Sequence, residues 1–177
     1  NAAKLIEMKV GDLPPLLGEV PDLTLQSSRW ILSELKRVQR VVTQKMNTYE
    51  ISIAADELYN FVWSNFCDWY LEIVKVMVDV GSLWQAREVH YVAVTALRSV
   101  LTMLHPIMPF VTEEIYQKLL FLQTTPTLAG GVWPEELEIP EVDKTMHDVM
   151  EIVTAIRSVK AALAIPHKEI RVALSAT

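Results

Sequence analysis

The chain has 177 residues, 51% of them hydrophobic, and a formal net charge of −6. That is enough chain for one domain with a good core, or for one domain plus the start of another. The balance excludes a disordered tail and argues against holding nucleic acid by bulk positive charge. Cys67 is the only cysteine, so neither an internal disulfide nor a multi-cysteine metal site can be assembled.

In chain order, residues 1–9 read as the end of a helix, and 11–22, with Pro14, Pro15, Gly18 and Pro21, as a loop. Ser27 or Ser28 can cap a first long helix running to about Met46. Its apolar residues Trp30, Ile31, Leu35, Val38, Val41 and Val42 recur at three and four and make one face. Asn47 and Glu50 have the spacing of a capping pair for a second helix, which stops at Gly81. Residues 51–80 contain no Gly or Pro and read as a central helix packed over most of its surface. Phe61, Trp63, Phe66, Trp69 and Tyr70 crowd its middle, with Asn65, Asp68 and Glu72 among them as candidate internal hydrogen-bond partners.

Ser82 and Gln85 form a capping box for a third helix to Leu104. Its inward residues are Leu83, Ala86, Val89 or His90, Ala93, Leu97, Val100, Leu101 and Leu104. Pro106 and Pro109 interrupt it. Thr112 is then expected to cap a fourth helix ending near Leu122, with Glu113 and Glu114 in the first turn. Residues 123–142 read as a loop, and Asp143 starts a fifth helix that ends before Pro166. The alternating segment 169–174 is one candidate strand. The expected architecture is therefore all-α: a bundle of about five helices over 1–165, with 166–177 opening a following segment. The first residue is not Met and no leader pattern is visible, so the chain reads as a piece cut from a longer protein. No window is apolar enough to span a membrane.

Charge is unevenly spread. Residues 27–47 hold five basic residues (Arg29, Lys36, Arg37, Arg40, Lys45) against Glu34. Residues 130–151 hold seven acids against Lys144. Each run is either a solvated helix face or a binding patch. There is no phosphate-cradling Gly loop, no His-Glu-x-x-His and no paired-carboxylate site, and the four histidines share no spacing. Cys67 has no basic neighbour to activate it. No catalytic residue and no metal ligand is nominated. The aromatic block is either core or a surface on which an RNA base stacks.

The wording of several segments resembles one family. Asn65-Phe-Cys-Asp-Trp-Tyr-Leu-Glu72, after Leu58-Tyr-Asn-Phe-Val-Trp63, is similar to the central helix of the anticodon-binding domain of the valyl-tRNA synthetases. In the same order, Asn1-Ala-Ala-Lys-Leu-Ile6, Arg29-Trp-Ile-Leu-Ser33, Leu104 through Glu114, Trp133-Pro134 and Ile156-Arg-Ser-Val-Lys160 resemble its other segments. The resemblance implies a helical bundle that grips the tRNA anticodon stem and loop. Unstacked anticodon bases can be read by stacking and edge hydrogen bonds, which few charges suffice for. It further implies a parent ligase that joins valine to tRNA-Val with ATP and Mg²⁺, cytoplasmic and monomeric, binding neither DNA nor membrane. The ATP-binding signatures of that class are missing from this chain. The family's entering helix places Asn1, Lys4 and Leu5 near the bases, while charge clustering assigns Arg29, Lys36, Arg37 and Arg40 to phosphates. Three alternatives stay open: the same domain of an isoleucyl enzyme, a helical protein-interaction domain working through 130–151, and a haem or metal bundle around His90 or His105.

Overall fold

A computed structural model describes residues 4, 6, 7, 21–119, 122–136, 139 and 144–163. The elements are α1 (Gln26–Asn47), α2 (Ile51–Asn60), a π-helical stretch (Phe61–Tyr70), α3 (Leu71–Val80), α4 (Leu83–Leu104), α5 (Pro109–Lys118), a 3₁₀ turn (Leu128–Gly130) and α6 (Thr145–Ala162). Among the described residues there is no strand, and the fold is all-α. The candidate strand at 169–174 lies outside the described residues. The chain forms two compact units, Asn1–Val142 and Asp143–Thr177. All these helices except α6 belong to the first.

Helix α1 buries Trp30, Ile31, Leu35, Val38 and Val42, as the three-four periodicity requires, and leaves Val41 half-buried at the margin. Its start differs from expectation. The N-cap is Leu25, whose side chain caps nothing, and Ser27 and Ser28 lie buried within the first turn. The oxygen acceptors come from 63 and 64 residues away. Glu88 on α4, only 1% exposed, accepts from Thr24 N (3.1 Å), Thr24 Oγ1 (2.6 Å) and Leu25 N (2.9 Å). A carboxylate beside the positive end of α1 satisfies donors there and is itself fully used.

The end of α1 also departs from the expected Asn47/Glu50 capping pair. Asn47 is the last helical residue, and the Glu50 side chain caps nothing. Tyr49 takes the left-handed conformation, φ 60°. Its N–H reaches Met46 O (3.2 Å), and Glu50 N reaches Lys45 O (2.9 Å). That is a Schellman closure with tyrosine where glycine is usual. The Glu50 carboxylate pairs with Lys45 Nζ at 2.9 Å instead.

Residues 51–80 run on as one helical rod that stops at Gly81. A Cβ there would sit 2.3 Å from Met77 O, which only glycine avoids. The rod buries one face and not most of its surface. Trp63, Asp68 and Glu72 are exposed and Asn65 is half-buried, so the polar set expected inside is not an internal network. Glu72 pairs with Lys75 at 2.5 Å on the surface. The buried aromatics are Phe61, Phe66 and Tyr70. They form a ladder, with ring centroids 6.3 Å and 6.1 Å apart. Residues five apart do not share a face of an α-helix. Widening to i→i+5 bonding brings 61, 66 and 70 into line, which accounts for the rare π geometry here.

Ser82 and Gln85 close the expected capping box at α4, by Gln85 N to Ser82 Oγ (3.3 Å) and Ser82 N to Gln85 Oε1 (2.9 Å). Ala86, Val89, His90, Ala93, Leu97, Val100 and Leu101 are buried as expected, whereas Leu83 is exposed. Thr112 does not cap α5. That helix begins at Pro109, whose missing N–H costs nothing at this position. Thr112 is buried within it, its hydroxyl 2.9 Å from both His105 Nδ1 and Met108 O. The helix ends at Lys118, short of Leu122. The Tyr116 hydroxyl then accepts from Thr124 N (2.8 Å) and Thr125 N (3.1 Å), and Glu113 accepts from Leu128 N (2.9 Å), so α5 holds the following loop.

Candidate nucleic-acid interface

The basic residues nominated from sequence reach the structure unequally. Asn1 and Leu5 lie outside the described residues. Lys4 is exposed and helical. Arg29 is half-buried, and its Nε donates to Leu23 O at 2.7 Å, fixing the approach to α1. Lys36, Arg37 and Arg40 do lie together on α1, but each already faces a carboxylate. Arg37 contacts Glu34 and Glu57, both at 3.2 Å. Arg40 pairs with Glu136, and Lys36 Nζ lies 3.8 Å from the same carboxylate.

Glu136 belongs to the acidic run and the other two to the basic one, so the oppositely charged runs of the sequence meet here. Three cations against Glu34, Glu57 and Glu136 leave this strip with no net charge. The hydrogen bond from Arg40, reinforced by Lys36, holds the Glu136 carboxyl below the usual range. Such exposed pairs are individually weak. A phosphate can replace Glu136 as the anion for Lys36 and Arg40.

Loop residues 133–136 lie against α1. Trp133 Nε1 donates to Thr43 Oγ1 at 2.9 Å. This hydrogen bond fixes the Trp-Pro pair beside an open pocket of about 440 Å³ that Gln39, Asn47, Pro134 and Glu136 also line. Gln39 and Pro134 also line a second cavity, of about 420 Å³, which reaches α4 at Thr95, Arg98 and Ser99. Gln39 is 2% exposed, and neither its Oε1 nor its Nε2 has a hydrogen-bond partner.

Of the exposed aromatics only Trp63 belongs to the block singled out in the sequence; Tyr59, Trp84 and Phe110 were not nominated. Tyr59 and Trp63 stack on the surface, centroids 6.2 Å apart and planes 3° apart. Trp84 is 74% exposed with the Arg87 guanidinium 5.6 Å from its ring centroid, and Phe110 is 90% exposed. Rings presented this way have a free face on which a planar group can stack. For Trp84 the signal was available, because 84 falls off the face set by Ala86, Val89 and Ala93.

His90 is buried with Nδ1 unpartnered, and burial lowers its pKa. Burial also pushes the Cys67 thiol up, aided by Asp68. Among the described residues no three of His, Cys, Asp and Glu gather as a metal site. No described helix is long and apolar enough to cross a membrane.

Comparison with known proteins bears on this arrangement. The family described as "Anticodon-binding domain of tRNA ligase" matches residues 28–174. Valine--tRNA ligase of Carboxydothermus hydrogenoformans is 39% identical over 171 residues, covering 94% of this chain and 19% of its own length. That of Clostridium tetani is 39% identical over 141 residues, covering 77% and 16%, and that of Geobacter sulfurreducens is 32% identical over 180 residues, covering 99% and 20%. The chain spans about a fifth of the length of the curated relatives it matches.

Proposed function

Because this chain belongs to the family of anticodon-binding domains of tRNA ligases, we propose that it recognises the anticodon stem and loop of tRNA-Val as part of a valine–tRNA ligase. The observation that carries this reading is the family match, which runs from the first turn of α1 through α6. The site chemistry agrees with it. Anticodon bases are single-stranded and can stack on exposed rings such as Trp84 and Phe110. Lys36 and Arg40 bind phosphate by exchanging Glu136 for it. Arg37 joins them, and Arg29 acts by positioning the start of α1. Lys4, Asn1 and Leu5 are assigned to the bases on the family resemblance alone.

Joining valine to tRNA requires ATP and Mg²⁺. No step of that chemistry is assigned to the residues of this chain. In this reading the ligase is cytoplasmic and monomeric, and this chain contributes recognition alone. The acidic 130–151 run is in part occupied by α1 through Glu136, which weighs against a protein-docking role for it.

The test is equilibrium binding to tRNA-Val at two salt concentrations, with the triple change Lys36→Glu, Arg37→Glu and Arg40→Glu. Removing one cation from a phosphate flattens the salt dependence by about one unit of slope. A slope unchanged in the triple variant removes the phosphate strip from the reading, and absence of any tRNA binding removes the reading itself.

A further inference from the structure

The cavity of about 420 Å³ between α1, α4 and the loop after α5 combines two features that folding alone does not explain. The first is Gln39, which stands on the apolar face of α1 between Leu35 and Val42. Its carboxamide is buried, with both the donor and the acceptor unpartnered. A buried amide without partners is destabilising, so a fold under selection for stability alone would place an aliphatic residue there. The second is Arg98, half-buried on the same cavity. Its guanidinium has neither a hydrogen bond nor an ion pair among the described residues. Lys36, Arg37 and Arg40 on α1, by contrast, are each matched to a carboxylate.

We propose that this cavity binds one nucleotide, with its phosphate at Arg98 and its base edge at Gln39. This rests on the tRNA-binding reading. Arginine presents donors in a fork that fits phosphate oxygens. Thr95 and Ser99 stand beside Arg98 on one face of α4 and add hydroxyl donors for the same oxygens. A carboxamide offers a donor next to an acceptor, the pattern that the Watson–Crick edge of every base answers. Glu135, exposed at the rim, accepts from ribose hydroxyls and repels a second phosphate, which limits the ligand to one phosphate. The volume lies in the range of small-ligand sites. The nucleotide comes either from the bound tRNA, as a base turned out of its stack, or from free monophosphate, and the two sources are separable.

The experiment measures binding of the four nucleoside 5′-monophosphates, inorganic phosphate and tRNA-Val to the whole chain and to Arg98→Met and Gln39→Leu. Both changes conserve side-chain volume, and thermal melts check that they fold. The expected result is that monophosphates bind more tightly than phosphate alone. Arg98→Met weakens them by about ten- to a hundred-fold, the weight of hydrogen bonds to a charged group. Gln39→Leu brings nucleotide affinity down toward that of phosphate, and Arg98→Lys recovers part of what methionine loses. A parallel loss of tRNA affinity in Arg98→Met identifies tRNA as the source, and unchanged tRNA affinity identifies free nucleotide. Nucleotide binding that neither variant alters overturns the proposal. So does absence of nucleotide binding together with unaltered tRNA affinity. In that last case the tRNA reading stands without the cavity, whereas nucleotide binding without any tRNA binding does the reverse.

Discussion

The start of α1 and its middle both meet α4, and they treat buried polarity in opposite ways. At the start, the Glu88 carboxylate is buried and accepts three hydrogen bonds from Thr24 and Leu25. Further along the same two helices, the Gln39 carboxamide is buried with no partner and Arg98 has no counter-ion among the described residues. The first arrangement is what a fold needs: a helix end whose donors are met and whose acid is used up. The second is what a binding site needs: a desolvated amide and an unpaired cation on one cavity, waiting for a complement. The difference teaches which buried polar residues of this bundle hold it together and which serve recognition.

The strongest test of that contrast is Glu88→Ala. It removes three hydrogen bonds to a buried carboxylate, and we expect a loss of about 3 kcal/mol in urea unfolding. A loss below about 1 kcal/mol would show that water meets those donors as well as Glu88 does. Thr24→Val removes only the 2.6 Å hydroxyl bond and should cost about 1.5 kcal/mol, read by the same assay. Gln39→Leu should move stability the other way, by up to about 1 kcal/mol, since it removes an unsatisfied amide at constant size. If Gln39→Leu destabilises the bundle as Thr24→Val does, the two regions are alike and the contrast fails.

Smaller effects sharpen the electrostatic side. Glu136→Gln frees Lys36 and Arg40 and should tighten tRNA binding by about two- to five-fold at low salt, fading as salt rises. Unchanged affinity would mean that these cations do not meet phosphate. His90 lies between the two regions, with its pKa lowered by burial. The unfolded chain then takes up its proton first, so stability should fall as pH drops below about 6.5, toward the lower folded value. His90→Leu should flatten that part of the pH–stability curve.

Much of the fold was legible because it is local. The capping box at Ser82 and Gln85, the stop at Gly81 and the apolar face of α1 each depend on residues within a turn or two. The misassigned caps at Ser27, Asn47 and Thr112 share a cause. Each has the right residue type, but a distant group or the backbone meets the same need. Glu88, more than 60 residues from α1, is the clearest case. The π stretch was hidden because periodicity arguments assume the α repeat. At the interface, the clustering of Lys36, Arg37 and Arg40 could be read from the chain, but their pairing with Glu34, Glu57 and Glu136 could not. Gln39 was visible as a polar residue on an apolar stripe. That both ends of its amide are unpartnered is a property of the packing alone.

The central claim is that this bundle reads an anticodon. It is tested most directly by binding of the chain to tRNA-Val and tRNA-Ile transcripts and to the same pair with anticodons exchanged. The account predicts that affinity follows the valine anticodon onto the tRNA-Ile body and leaves tRNA-Val when the anticodon is replaced. Equal binding to all four, or preference that stays with the tRNA body, would contradict it.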